Sequence, residues 1–507
     1  MFTCRRYFQF VLAIILGLLV VSGSGYALAE TWSFGVLGDT QWSPAGPEDN
    51  SVAIHIIDAV NRQFIDAKVD LVLQVGDLTD KGSKAAMNTR AAHNRALSEA
   101  GIAFYPLRGN HEGKPEAAGY FSEAFPNLPG TPGNGGSSPA LPGAAGRTYA
   151  FVHKGVKFIL LDQFALIKPS SQKGYTIADY QPWIEQELAA ADHEHAFVLA
   201  HKNLLGQNHK DNLFGQSNDD NPEMQSAFIT GLDRSGVRYF WSGHDHIHHR
   251  ALVTGPDGAG SAQQIICASC SHKFYTPRAP FSPREAPLQQ EMNRIGYYIA
   301  TVDGPRLTVR YYSAPEFGAE PATPAWTLQE TFGYSLNGKS FVVPRGESYV
   351  SVADLAPTDG GFSGTKMQIL GGKNENPGKT HDGRPLARLV CTGWSPKSGE
   401  KLASDILSLW GLEQALGSAR TDTYVLSMTF DRGGRSETDL VSGQFGVLAR
   451  DSAGGWTLAV AGNQEAPKFV AGPWKSEYGL GTYGVDLKTG SAWAVVDRAG
   501  EFAVGSR

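Results

Sequence analysis

The order of apolar runs predicts two folded units, an α/β layered domain followed by an all-β, sandwich-like domain. From Thr31 to about Ser313, short strand-like runs alternate with stretches of helical periodicity, the pattern of a layered α/β unit. From about Ser335 to Arg507 the helical period almost disappears, and short alternating runs separated by Gly-rich turns replace it. A chain of 507 residues is also too long for a single core.

Taken in chain order, the N-terminus reads first as an export signal. Arg5 and Arg6 precede the apolar run Phe8 to Val21, and Ala27-Leu28-Ala29 supplies small residues for cleavage. The run is short for a membrane span, which needs roughly 20 residues. The expectation is a signal peptide over residues 1–29, a catalytic domain over 30–334 and a β-rich accessory domain over 335–507, all outside the cytoplasm in periplasmic or secreted form.

Trp32 to Leu37 reads as a strand ending in Gly38-Asp39. Val52, Ile56, Val60 and Phe64 then fall at helical spacing. Leu71 to Val75 is a second strand run, ending in Gly76-Asp77. A helix is expected from Lys84 to Ala100, and Ile102 to Leu107 then leads to Gly109-Asn110-His111. Pro126 to Gly146 is almost all Pro, Gly, Ser, Ala and Asn, a surface loop. Further strands are expected at Phe158 to Leu161, Ala196 to Ala200 and Val237 to Trp241, with a helix opening near Asp179 and Pro182 between the first two. Tyr297 to Asp303 and Leu307 to Tyr312 form a hairpin pattern, and Trp326 to Tyr334 closes the first unit after a Pro-rich connection. In the second unit, Thr423 to Met428, Gly443 to Ala449, Trp456 to Val460 and Ala492 to Val496 read as strands, and Leu402 to Leu416 as the one helix.

Charge narrows the function. The formal net charge of −6 becomes −8 without residues 1–29, because two arginines leave and no acid does. A mildly acidic chain argues against nucleic-acid binding by phosphate neutralisation. It leaves a small phosphorylated substrate open, because a bound metal overrides the global balance locally. Cys267 and Cys270 lack a second pair, so a zinc site is not indicated. A local disulfide and two buried thiols stay open as readings.

The chemistry lies just past the apolar runs, at Gly38-Asp39-Thr40-Gln41, Gly76-Asp77, Gly109-Asn110-His111-Glu112, Ala200-His201 and Gly243-His244-Asp245-His246. Such strand ends are where open α/β sheets gather ligands. Carboxylate, imidazole and amide oxygen are suitable donors for divalent ions.

In this order the segments resemble the calcineurin-like metallophosphoesterase superfamily, whose pattern is Asp-x-His, Gly-Asp, Gly-Asn-His-[Asp/Glu], His and Gly-His-x-His. The resemblance spans roughly Thr31 to Tyr334. It implies a four-layer α/β/β/α sandwich holding two metal ions, divalent or trivalent Mn, Fe or Zn. By motif position Asp39 and His246 would hold the first metal, Asn110, His201 and His244 the second, and Asp77 would bridge both. His111 would be the acid that meets the leaving oxygen. Gln41 stands where the family usually has His, and would be a weak or tuning ligand through its carbonyl oxygen. Purple acid phosphatases carry a Tyr three residues after the bridging Asp; here that place is Asp80, which argues against that branch. Two readings of Arg108 stay open: a guanidinium donating to a phosphate oxygen, as in serine/threonine protein phosphatases, or a surface ion pair. His153, His209, His248, His249 and His272 stay outside the ligand set.

The resemblance implies a metal-dependent hydrolase that presents activated hydroxide to an extracytoplasmic phosphomonoester or phosphodiester. The alternative from another class is a secreted binding or adhesion protein on an inactive phosphoesterase fold. The β domain is the place for contact with a cell surface or polymer, where Trp394, Trp410, Trp456, Trp474 and Trp493 could stack on sugars or simply fill its core.

Overall fold

The computed structural model describes residues 30–42, 50–166, 174–278, 280–317, 324–354, 362, 364–375, 378–395, 401–463 and 465–507. The expected signal peptide lies outside these residues.

Two sheets form the centre of the first unit. One joins β1 (Trp32–Leu37), β2 (Leu71–Gln74) and β3 (Ala103–Pro106) to β11 (Ile295–Asp303), β12 (Arg306–Ala314) and β13 (Thr327–Ser335), in the order β13-β12-β11-β1-β2-β3. The other joins β4 (Tyr149–His153), β5 (Val156–Leu161), β6 (His195–Ala200), β7 (Tyr239–Ser242), β8 (His248–Thr254), β9 (Ser261–Ile266) and β10 (Glu285–Glu291), in the order β10-β8-β9-β7-β6-β5-β4. Their inner faces meet through aromatic side chains. Phe34 of β1 packs edge-on against Phe158 and Phe197 with ring centroids 5.1 and 5.3 Å away, and Trp241 meets Tyr298 at 5.3 Å. Burying each such side chain contributes roughly 1.5–3 kcal/mol.

Helices cover both outer faces. Helix α1 (Ile54–Asp66) lays Ile56, Val60 and Phe64 on Val72 and Tyr297 of the first sheet. Helices α5 (Ile177–Ala189) and α6 (Pro222–Arg234) lay Ile184, Phe228 and Leu232 on Ile159, Val198 and Phe240 of the second. The architecture is therefore the four-layer α/β/β/α sandwich. The expected helix over 84–100 is two, α2 (Lys84–Ala92) and α3 (Arg95–Glu99). The break follows from buried Arg90, which turns inward to donate to Gln74 Oε1 at 2.7 Å and Asn94 Oδ1 at 2.5 Å, while Asn61 Nδ2 takes the His93 carbonyl at 2.8 Å. The remaining helix of this unit is α4 (Pro115–Ala124). The Pro/Gly-rich stretch 126–146 forms no helix or strand beyond a single bridge from Ser137 to Ala150.

The C-terminal unit is a sandwich of two six-stranded sheets. One holds β14 (Ser340–Val343), β17 (Arg388–Ser395), β18 (Ile406–Trp410), β20 (Phe445–Arg450), β21 (Trp456–Leu458) and β25 (Gly500–Ser506). The other holds β15 (Ser351–Asp354), β16 (Lys366–Gly372), β19 (Arg420–Thr429), β22 (Lys468–Ala471), β23 (Thr482–Asp486) and β24 (Ser491–Arg498). Leu407, Leu426, Val447, Ala494 and Phe502 fill the space between them. The helix expected over Leu402 to Leu416 is not there: its centre is β18, paired with β17 and β25. Both faces of this strand are covered, Leu407 and Leu409 by the sandwich core and Trp410 by Leu288 of the first unit. A strand buried on both faces loses its alternation and imitates a buried helix in sequence. Gly411, at φ +88°, then turns the chain.

Cys267 and Cys270 are free, buried thiols, and that of Cys270 donates to the Gly296 carbonyl at 3.1 Å. No disulfide joins them. No helix among the described residues is long and apolar enough to cross a membrane.

Candidate metal centre

Register brings the motif loops together. In the first sheet β1, β2 and β3 run parallel, with Leu37 beside Gln74 and Gln74 beside Pro106, so the loops that follow leave from one edge. In the second sheet β6 and β7 are also parallel, and His201 and Gly243 follow them directly. Facing sheets thus deliver Asp39, Gln41, Asp77, Asn110 and His111 from one side and His201, His244 and His246 from the other.

Close approach of these loops demands glycine at two positions. A Cβ on Gly109 would stand 2.0 Å from Asp77 Oδ1. Gly76 sits at φ +103°, and a Cβ there would stand 2.6 Å from His201 Nδ1. Three expected ligands are themselves left-handed, Asp77 at φ 44°, His244 at φ 69° and His246 at φ 52°. Such backbone costs of order 1–3 kcal/mol per residue and persists where the surroundings over-determine it, commonly at functional sites.

The ligand atoms form two groups that share Asp77. Asp39, Asp77 and His246 make one, and Asp77, His201 and His244 the other, with the donor atoms of each group within 4.8 Å of one another. In the first, His246 Nε2 lies 3.0 Å from Asp39 Oδ2. Its Nδ1–H donates to the Lys273 carbonyl at 2.7 Å, which leaves the Nε2 lone pair turned toward the carboxylates. In the second, His201 Nδ1–H donates to the Val75 carbonyl at 3.0 Å, and Nε2 faces Asn110 Oδ1 at 2.9 Å and Asp77 Oδ2 at 3.3 Å.

Three electron-rich atoms converging in this way call for a positive charge between them. Burial opposes a charge on His201, but the carboxylates of Asp77 and Asp39 outweigh it and raise its pKa to about 9, so this surrounding favours positive charge. Burial likewise opposes ionisation of Asp77, yet His201 and His111 hold its carboxyl well below the usual range. Burial pushes His244 down, and both of its ring nitrogens lack a hydrogen-bond partner. Asp39 Oδ1 and Gln41 Oε1 are also buried without a partner. Buried polar atoms are ordinarily satisfied, so this set of O and N donors fits cations. Gln41 turns its amide nitrogen inward, donating to Asp77 Oδ2 at 3.1 Å and His246 Nε2 at 2.8 Å. A half-turn of that amide would present the carbonyl oxygen instead.

His111 stands at the opening, its side chain 21 % exposed. Its main-chain N–H donates to Asp77 Oδ1 at 3.0 Å and its Nδ1–H to the Asp80 carbonyl at 2.6 Å. Nε2 is left free of hydrogen bonds, 3.8 Å from Asp77 Oδ2. Arg108 is a correction to the phosphate-binding reading. It is 1 % exposed, and Nε and Nη2 donate to Asp162 Oδ2 at 2.8 and 2.6 Å while Nη1 donates to the Glu112 carbonyl. The pair is buried rather than at a surface, because Asp162 follows β5 of the facing sheet inside the core.

Several residues to which the sequence assigned no role support these loops. Glu112 ties two motif loops together, accepting from Thr79 N and Oγ1 at 2.9 and 2.7 Å and from Gly109 N at 3.0 Å. Burial and the nearby Asp77 charge raise its pKa to about 7. His209 stacks on His244 with centroids 4.1 Å apart, and Asp211 Oδ1 lies 3.5 Å from His244 Nε2. Tyr275 meets His246 edge-on at 4.8 Å. His248 and His249 stay out of the centre, paired with Glu330 and Glu285. His153 and His272 pair elsewhere, with Asp70 and Glu316.

Residues 33–248 match the family model for calcineurin-like phosphoesterases. No curated protein matches the chain. Among solved structures, GAP50, the anchor in the inner membrane complex of Plasmodium, is 14% identical with a TM-score of 0.36, covering 59% of this chain and 88% of its own. PhoD is 13% identical with a TM-score of 0.44, covering 61% and 70% respectively. A purple acid phosphatase from yellow lupin seeds is 13% identical with a TM-score of 0.41, covering 61% and 54%.

Proposed function

We propose that this chain, whose residues 33–248 match the family model for calcineurin-like phosphoesterases, hydrolyses a small phosphomonoester or phosphodiester outside the cytoplasm with two bound metal ions. The observation that carries this reading is the pair of donor groups joined at Asp77, with Asp39 Oδ1 and both His244 ring nitrogens buried there without hydrogen-bond partners.

Asp39, Asp77 and His246 would hold one cation, with Gln41 beside them, and Asp77, Asn110, His201 and His244 the other. The chemistry two such cations supply when bound is Lewis acidity, which makes water a nucleophile near neutral pH and offsets phosphoryl charge. This chain's own residues orient and protonate. Carbonyls of Val75 and Lys273 fix His201 and His246 in the tautomer whose Nε2 faces inward. The Asp80 carbonyl does the same for His111, which leaves Nε2 as the atom able to hold a proton for the departing ester oxygen. Such general-acid help contributes typically about 10²–10⁴-fold.

Action outside the cytoplasm is supported by the charged, apolar and small-residue segments at the N-terminus. Contact of the C-terminal sandwich with a surface or polymer is a further part of the proposal. Trp410 and Trp493 are core residues and the Trp394 side chain lies outside the described residues, so Trp456 and Trp474, both half-buried, are the tryptophans of that set available for it.

The test measures bound metal and turnover of a chromogenic phosphomonoester and phosphodiester, with and without added Mn. About two metals per chain and chelator-sensitive turnover are expected. His111→Ala should keep its metal and lose about 10²–10⁴-fold in rate, most for poor leaving groups. Loss of metal in that variant would overturn the role given to His111, and a wild-type chain inert under every metal would favour the binding-protein alternative.

A further inference from the structure

One side chain of the C-terminal half, Arg384, joins a run of polar contacts that leads toward the candidate metal centre. Arg384, in the connection between β16 and β17, lies over the ring of Phe281 with its guanidinium carbon 4.5 Å from the centroid. Nη1 donates to Glu285 Oε2 at 2.9 Å and Nη2 to Gln207 Oε1 at 3.4 Å. The loop around it is seated by two more bonds across the same seam, His381 N–H to Gln290 Oε1 at 2.7 Å and Ala387 N–H to the Pro287 carbonyl at 2.8 Å.

From Arg384 a run of buried polar contacts leads to the ligands. The Glu285 side chain is 1 % exposed, and its other oxygen accepts from Gln207 Nε2 at 2.9 Å and pairs with His249 at 2.5 Å. The main-chain N–H of Gln207 donates to Asp245 Oδ2 at 2.7 Å. Asp245 is buried and stands between His244 and His246 in the chain. It also accepts from Asn203 Nδ2 at 2.7 Å and from the main chain and ring of His209 at 3.0 and 2.8 Å, which sets the His209 ring against His244.

Residues 201–221 form no helix or strand. Their conformation therefore depends on these side-chain bonds rather than on a backbone ladder, and such segments open most readily when contacts are removed. Taking away Arg384 would leave Glu285 buried without its cationic partner across the seam, a costly state.

We propose that Arg384 is a positioning residue of the metal centre, through which the C-terminal half holds residues 203–211 against His244 by way of Glu285, Gln207 and Asp245. This rests on the reading of the cluster as a metal centre. It assigns the C-terminal half a part in activity that requires no ligand of its own.

The experiment titrates Mn into the full-length chain by calorimetry and measures turnover of a chromogenic phosphomonoester at low and high Mn. Partners that orient ligands typically contribute 10–100-fold to metal affinity or activity. Arg384→Ala is expected to weaken Mn binding at one of two sites by about tenfold or more, with part of the lost rate recovered at high Mn. Arg384→Lys should restore part of the affinity, since an ammonium can pair with Glu285 without also reaching Gln207. Arg432→Ala, which breaks an exposed pair with Glu437 in the same half, should match wild type. Should Arg384→Ala fail to fold, Gln207→Leu cuts the same route inside the first unit and is expected to give the same loss. Normal Mn affinity and rate in Gln207→Leu, or in a folded Arg384→Ala, would overturn the positioning role alone. A wild-type chain that neither binds Mn nor turns over ester would overturn the phosphoesterase reading itself.

Discussion

The two halves of this molecule differ in where they gather ligand-type side chains. In the first, parallel strands of two sheets end at one edge, and acid, amide and imidazole groups crowd there with several atoms unpaired. In the second, the strands are mostly antiparallel and the space between the sheets is filled by Leu, Val, Ala and Phe. No group of three or more His, Cys, Asp or Glu side chains placed to hold a metal lies among the described residues of that half. The difference follows from connectivity. Parallel strands return their C-terminal ends to the same side, so one edge collects many loops. Antiparallel strands send successive loops to opposite ends and gather no such cluster.

The largest expected effect breaks the first half alone. Asp77→Asn removes the carboxylate charge shared by both donor groups, and turnover should fall to background with loss of both metals, read by metal content and assay. Retention of one metal with measurable turnover would show that Asp77 serves only one site.

The ion pair that joins the two sheets of the first half should come next. Glu330 on β13 pairs with Arg250 at 2.5 Å and His248 at 3.1 Å. Burial opposes its charge, but Arg250 and His248 prevail and draw its pKa from 4.5 down to about 2. Because the folded value is depressed, the stability it contributes is fully present above pH 4.5 and is lost as pH falls toward about 2. Glu330→Gln should lack this acid-sensitive limb. At pH 7 it should cost roughly 3–5 kcal/mol, because Arg250 stays buried without its counter-charge. Urea unfolding at several pH values checks both, and an unchanged acid limb in Glu330→Gln would refute the assignment.

The smallest effect sharpens the contrast from the other side. Ile369→Val in the C-terminal core should cost about 0.5–1.5 kcal/mol by denaturant unfolding, with metal content and rate unchanged. A change in metal content there would mean that the sandwich core, and not only the seam, bears on the site.

Much of the site was legible in the chain as written. Five short segments at the ends of apolar runs name the residues that the two sheets bring together, because a strand end followed by a ligand-type residue is a local feature. The layered fold and the β-rich second half were legible for the same reason, since periodicity is local. What tertiary structure alone decided lies between segments. The Leu402 to Leu416 run is a strand because sheets cover it on both faces, which no local period reveals. Arg108 faces Asp162 and not a substrate because the facing sheet brings the residue after β5 beside it. Asp211, His209 and Glu285 acquire their places from loops that have no regular structure, held only by contacts to residues distant in sequence. Composition and spacing determine which chemistry a chain carries, whereas the direction of each side chain depends on the neighbours that folding brings within a few ångströms.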